Sequence, residues 1–175
     1  MKQKHGVFFG FAVLLLAVIF ALAGCDTGGG SEAPAFDGGS GTQADPWQIA
    51  TAEQLNAVRN NLGGHFMLTA NIDLSGYPNW EPLGQFMPAS DEPEDAENPD
   101  LTKVFSGSFD GKGHTISNIT INQPQLYVGV GLFGVSFGSI RNLTVKNADV
   151  TGYYLVGGLV GMHGGTLENI TLNGT

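Results

Sequence analysis

The sequence predicts an all-β fold: a right-handed parallel β-helix with a short N-terminal capping helix. Three observations predict it. Gly131 to Val145 (GLFGVSFGSIRNLTV) and Gly158 to Leu172 (GLVGMHGGTLENITL) align without a gap at an offset of 27 residues. A repeat of that size stacks, each unit burying its apolar face only against its neighbours. The segments after each glycine pair alternate apolar and polar residues with period two, the signature of half-buried strands. Finally, the alternation slips once per copy, always at an asparagine, which marks a corner. Connections between parallel strands favour one hand, so the coil is expected to be right-handed. An up-and-down β-sandwich is the competing arrangement, and the identical register of the copies favours stacking.

Residues 1–24 read as a lipoprotein signal peptide. Lys2 and Lys4 precede an apolar run from Val7 to Ala23, and Leu22-Ala23-Gly24-Cys25 follows. A basic start, an apolar centre and small residues before the cut form a secretory signal. A spanning helix needs roughly 17–25 apolar residues, so the run is at the short end for a permanent anchor. Leu-Ala-Gly-Cys resembles the lipobox of bacterial lipoproteins. That resemblance implies cleavage before Cys25 and acylation of its thiol, with palmitate as an expected chain. Cys25 is the single cysteine, so no disulfide can form within the chain, and lipidation accounts for an otherwise unpaired thiol. Two acyl chains, at about 0.8 kcal/mol per buried methylene, anchor stably. The expected partner is therefore a membrane. Residues 25–44, rich in Gly and Ser, read as a flexible tether.

Residues 45–64 form the expected cap. Thr51 is placed as a helix N-cap with Gln54 as its capping-box partner. Leu55, Val58 and Leu62 share one helical face, and Gly63-Gly64 ends it. Such a helix would cover the first strand layer. Residues 65–175 are the repeat region, with His65–Leu74 and Val104–Phe109 as early strands, interrupted by an acidic loop at 85–103. Six acids crowd Asp91 to Asp100.

A third copy of the motif is visible in Gly113 to Ile121 (GHTISNITI). Asn118, Asn142 and Asn169 are the slip positions, and Asn tolerates left-handed φ. They are expected to stack as one ladder, with Thr120, Thr144 and Thr171 as an outward row. Gly131, Gly134, Gly158 and Gly161 flank two-residue apolar steps and are expected at positive-φ corners. The array runs to Thr175 without a capping element, and reads as truncated, as a fragment, or as covered by a partner there.

The chain has a net charge of −9, and loss of residues 1–24 removes two lysines and no acid. Nucleic acid, which needs a basic footprint, is excluded as a partner class. No metal or cofactor is expected. The histidines, His5, His65, His114 and His163, form no His-Glu-x-x-His pair. The acidic loop lacks the spacing of a Ca²⁺ loop. Asp110, Lys112 and His114 are the one tight acid/base cluster, and Asp-Gly-Lys-Gly is also turn chemistry. Trp47 and Trp80 read as packing residues. Tyr127, Tyr153 and Tyr154, placed in linkers between repeats, are the candidates for contact with a host or cell-surface glycan or protein.

The glycine steps, each followed by Gly-x-(Ile/Leu)-x-Asn-(Leu/Ile)-Thr, resemble the GLUG-motif repeats of bacterial surface proteins. Asp45-Pro46-Trp47-Gln48-Ile49, Glu53-Gln54-Leu55, Leu68 to Leu74 and Phe109 to Ile116 agree with that resemblance, which covers roughly residues 41–175. Such repeats occur in adhesin-like proteins and in the N-terminal regions of some IgA-specific metallopeptidases. The resemblance implies a cell-surface binding or spacer role; joined to the lipobox it gives the expectation of a non-catalytic, lipid-anchored envelope protein that displays or adheres through its repeats, at the outer membrane or cell surface. The alternatives are the N-terminal part of a larger surface peptidase and a carbohydrate-active β-helix enzyme.

Overall fold

A computed structural model describes residues 35–85 and 101–174, without the side chains of 101 and 125–128. The signal segment, Cys25 with the rest of residues 25–34, and the acidic stretch 91–100 lie outside the described residues. What is described is mostly β, with one short α-helix and parallel strands in a curled sheet.

The elements begin with β1 (Trp47–Ile49) and α1 (Ala52–Ala57). The capping box closes as the sequence requires. The Thr51 hydroxyl accepts from the Gln54 amide at 3.3 Å, and the Gln54 side-chain oxygen accepts from the Thr51 amide at 3.2 Å. The helix is shorter than its apolar period suggests. It tightens into a 3₁₀ turn at Val58–Asn60, where the Asn61 amide donates back to Val58. Leu55 and Val58 are still fully buried. Arg59 pins this turn through an ion pair to Glu81 at 3.1 Å and lies over the Trp80 ring.

The strands that follow are β2 (His65–Leu68), β3 (Ile72–Asp73), β4 (Ser108–Asp110), β5 (Thr115–Val130), β6 (Phe133–Ser136), β7 (Ser139–Val156), β8 (Val160–His163) and β9 (Thr166–Asn173). His65–Leu74 is thus two strands separated by Thr69–Asn71. Of Val104–Phe109, only the last two residues enter a strand. All pairings are parallel. One wall runs β1-β2-β4-β7-β9, a second runs β3-β5-β7-β9, and β6 with β8 makes a third. Phe105 and Leu83 extend the third wall through single bridges to Ser136 and Phe133. Period-two alternation turns Phe66, Phe109 and Ile140 inward in register, with the Phe105 and Phe133 rings beside them, 5.0 Å apart and tilted at 56°. Trp80 is fully buried and its indole N–H donates to Leu132, so it is core and not a ligand platform. Trp47 packs between Phe36 and Phe66.

The 27-residue offset is physical: Ile140 pairs with Leu167, Leu143 with Ile170 and Thr144 with Thr171. The earlier motif copy is not in that register. Thr115 pairs with Thr144 and Ile119 with Ala148, because the turn at Gly111–His114 shifts the chain after β4. Thr120 therefore faces Asp149, and the threonine row is Thr115, Thr144 and Thr171.

The asparagine corners need correction in the same way. Asn118, Asn142 and Asn169 do have positive φ, of 59°, 52° and 52°. However, they form two columns rather than one. Asn169 donates to Asn142 at 3.0 Å, and Asn142 donates to the Asp110 carboxylate at 2.9 Å. Asn147 donates to Asn118, and Asn118 donates to Asp73, each at 3.0 Å. Each column starts on an aspartate and runs through two asparagines.

The repeat glycines are also corrected. None of Gly131, Gly134, Gly158 and Gly161 has positive φ; Gly129 and Gly84 do. Three of the four are demanded by close approach. A Cβ on Gly134 would collide with the Gly84 carbonyl, one on Gly161 with the Val130 amide, and one on Gly131 would sit 2.6 Å from the Gly157 carbonyl. At Gly158 a Cβ meets only Ala148, at an ordinary 3.5 Å.

Candidate functional site

Among the described residues, a concavity lies on the outer face of the first wall. Alternation that buries Phe66, Phe109 and Ile140 sends Met67, Ser108, Asp110, Ser139 and Arg141 outward. With residues 43–46 as a rim, they line a cleft of roughly 470 Å³. Two cross-strand rows organise it. His65, Ser108, Ser139 and Thr166 are register partners, and so are Met67, Asp110, Arg141 and Glu168.

Asp110 is the hub. One carboxylate oxygen accepts from the Lys112 amide and the Asn142 side chain, each at 2.9 Å. The other accepts from Arg141 at 3.0 and 3.1 Å and lies 3.3 Å from the Lys112 ammonium. Burial pushes this carboxyl up, but the Asn142 and Lys112 hydrogen bonds and the Lys112 charge outweigh it, and the net shift is downward. Asp110 is thus a committed anion. Its acceptor sites are filled by the turn and by the asparagine column, which gives it structural work and makes it a poor proton shuttle. The turn itself is a close Asp-centred one: Lys112 has φ 50° and Gly113 φ 82°. His114 joins through its backbone only, with its amide donating to the Gly111 carbonyl.

The His65 Nδ1 and Ser108 Oγ atoms are 2.7 Å apart. A nucleophilic serine needs its histidine oriented by a third group. Among the described residues, no carboxylate is bonded to the far nitrogen of His65. The pair is a cross-strand hydrogen bond. No group of three or more His, Cys, Asp or Glu side chains among the described residues is arranged to hold a metal ion.

The tyrosines are not in linkers. Tyr127 lies within β5, its side chain outside the described set, and Tyr153 and Tyr154 lie at the end of β7, 67% and 57% exposed. They stand apart from the cleft. Arg141, Ser108, His65 and Asn147 escaped the sequence reading. A signal existed for Arg141: its repeat counterpart is Glu168, and charge at matched positions of successive copies marks an outward row.

No family model matches the chain. The chain is 38% identical over 153 residues to "Halomucin" of Haloquadratum walsbyi, covering 83% of this chain and 2% of that protein. It is 32% identical over 185 aligned positions to a "Putative Gly-rich membrane protein" of Evansella cellulosilytica, covering 98% of this chain and 19% of that protein. Its fold resembles the crystal structure of a "putative immunoglobulin A1 protease" from Bacteroides ovatus, with a TM-score of 0.51 and 27% identity over 69% of this chain and 32% of that one. The chain therefore spans a small fraction of the relatives it matches.

Proposed function

We propose that the chain is a lipid-anchored cell-envelope protein whose repeat region, a right-handed parallel β-helix, serves display or adhesion and carries no catalysis of its own. The observation that carries this reading is the register. Sequence copies 27 residues apart pair strand to strand, so the repeat is a stacking unit and its outward rows form a continuous surface. Asp110, which sequence alone would nominate as an acid or base, is held by Arg141, Lys112 and Asn142. The likeness to a Gly-rich membrane protein supports an envelope location. The anchor rests on the Leu-Ala-Gly-Cys25 sequence, and Tyr153 and Tyr154 are the exposed aromatic contacts offered to a glycan or protein.

Protease shaving of intact cells, with mass spectrometry of the released peptides, tests this. Release of peptides from residues 45–174 is expected. Protection until the envelope is broken would refute surface display. A Cys25→Ala chain that still enters the membrane fraction, with no acylated N-terminal peptide in the unmodified chain, would refute the lipid anchor. A second reading is favoured by the immunoglobulin A1 protease neighbour: the repeats are an accessory module of a larger surface peptidase. Copurification of peptidase activity with the chain would support it.

A further inference from the structure

Cations are scarce in this chain, and two of them meet in one cleft. After residue 24 the lysines and arginines are Arg59, Lys103, Lys112, Arg141 and Lys146. Lys112 and Arg141 both line the cleft of roughly 470 Å³ on the outer face of β2, β4 and β7. Small-ligand sites run to about 300–1,000 Å³. Both side chains are 51% exposed, and both reach the same oxygen, Oδ2 of Asp110, at 3.3 Å and 3.0 Å. Arg141 approaches it through Nη2 and Nε. A guanidinium has five N–H donors and an ammonium three, so one carboxylate leaves both cations under-used. Nη1 of Arg141 and most of the Lys112 ammonium have no protein acceptor among the described residues.

The rim beside them is held by its own backbone. The Ser40 amide donates to the Asp45 carbonyl at 3.0 Å, and the Asp45 amide donates to the Thr42 carbonyl at 3.1 Å. The His65 amide donates to the Gly41 carbonyl at 3.1 Å and ties the turn to β2. Gly41, at φ 75°, seats the turn on the Trp47 indole, where a Cβ would lie 2.5 Å from the ring. This turn carries Asp45 to the edge of the cleft, with its carboxylate exposed and unbonded among the described residues. The Ser139 hydroxyl, also lining the cleft, has no partner among them either. Met67 and Pro46 add apolar surface.

These groups make two demands on a ligand. The spare N–H donors of Arg141 and Lys112 call for a carboxylate or phosphate. The free Asp45 carboxylate calls for donors and opposes a compact dianion. An exposed carboxylate gains little from a single ammonium, and Ser139 and Gln43 add neutral bonding groups, so hydroxyls suit the remainder better than an amine. We infer that the cleft binds a sugar bearing a carboxylate, a hexuronic acid within a glycan. Its carboxylate meets Arg141 and Lys112, its hydroxyls meet Asp45 and Ser139, and its C–H face lies on Met67 or Pro46. This deepens the display reading by giving one outer wall a ligand class. It involves neither Cys25 nor the exposed tyrosines. Cell shaving tests location and a binding titration tests the cleft, so either can fail alone.

The test is saturation-transfer NMR on the purified full chain, titrated separately with glucuronate, glucose, acetate, inorganic phosphate and triglutamate. Glucuronate should bind saturably, and the other four should be weaker by about tenfold or more, since each lacks one set of charge-assisted bonds. Arg141→Gln and Lys112→Gln should each weaken glucuronate by about fivefold or more. Asp45→Ala, at an exposed turn, should weaken glucuronate while leaving acetate unchanged or tighter. Circular dichroism melting confirms that each variant stays folded, and the comparison among ligands needs no variant. Glucose binding as well as glucuronate would overturn the carboxylate. Acetate or phosphate binding as well would reduce the cleft to a simple anion site and overturn the sugar. Triglutamate binding as well would assign it to acidic peptide, and no saturable glucuronate binding would end the inference.

Discussion

Asn142→Ala removes the middle of the column that begins at Asp110. The side chain donates to the Asp110 carboxylate at 2.9 Å and accepts from Asn169 at 3.0 Å, at a backbone φ of 52°. A hydrogen bond to a charged group contributes about 1.5–3 kcal/mol and a neutral one about 0.5–1.5 kcal/mol. Asn142 is half-buried and Asn169 exposed, so water recovers part of both and the lower ends apply. Left-handed backbone costs a residue with no locally bonding side chain about 1 kcal/mol more. Together these give a loss of about 2–3 kcal/mol. Urea unfolding followed by circular dichroism measures it, with an unchanged slope required for the comparison. Asn169→Ala removes the same Asn142–Asn169 bond, so the double variant should be less destabilised than the sum by about 0.5–1 kcal/mol. Asn118→Ala, which has similar φ but bonds the fully exposed Asp73, should cost less. A loss under about 0.5 kcal/mol at Asn142, on the scale of ordinary surface substitutions, would refute the column as a stabilising element. So would strict additivity with Asn169.

Leu159→Ala should cost about 2–5 kcal/mol as a buried truncation, while Leu172→Ala, at a residue 57% exposed, should stay below about 1 kcal/mol. Gly134→Ala forces a Cβ onto the Gly84 carbonyl, and a loss of about 1–3 kcal/mol is expected. Gly76→Ala, with nothing within 4 Å, is the control and should be near neutral. Asp110 has a carboxyl held below its ordinary value, so the unfolded chain binds the proton first as pH falls. Its stabilisation is complete above about pH 4, the ordinary carboxylate range, and is lost as pH falls below that toward the folded value. Asp110→Asn should lower stability at pH 7 and flatten the acid side of the profile; an unchanged acid slope would assign it to other carboxyls.

Much of the fold was legible because it is local. Thr51 and Gln54 make a capping box within three residues, so the helix start needed no tertiary information. Period-two alternation placed Phe66, Leu68, Ile116 and Ile140 inward, and the parity slip found three corners whose φ is indeed positive. The glycines were located for the wrong reason. Close approach between Gly134 and Gly84, or Gly161 and Val130, links segments far apart in sequence, and a list of residues cannot show it. Tyr153 and Tyr154 were misplaced into linkers because their segment lacks the core pattern, although backbone pairing with β5 carries β7 through it.

The sequence by itself determined the strand-rich composition, the Thr51–Gln54 capping box and the 27-residue stacking interval, since each follows from side-chain pattern over short distances. Only the tertiary structure decided the register of the earlier copy, in which the turn at Gly111–His114 displaces Asn118 onto Asn147 and splits one expected column into two. It also decided that Asp110 heads the column that runs through Asn142 to Asn169. Hydrogen-bond register between strands depends on how many residues each turn consumes in space, and motif similarity does not count them.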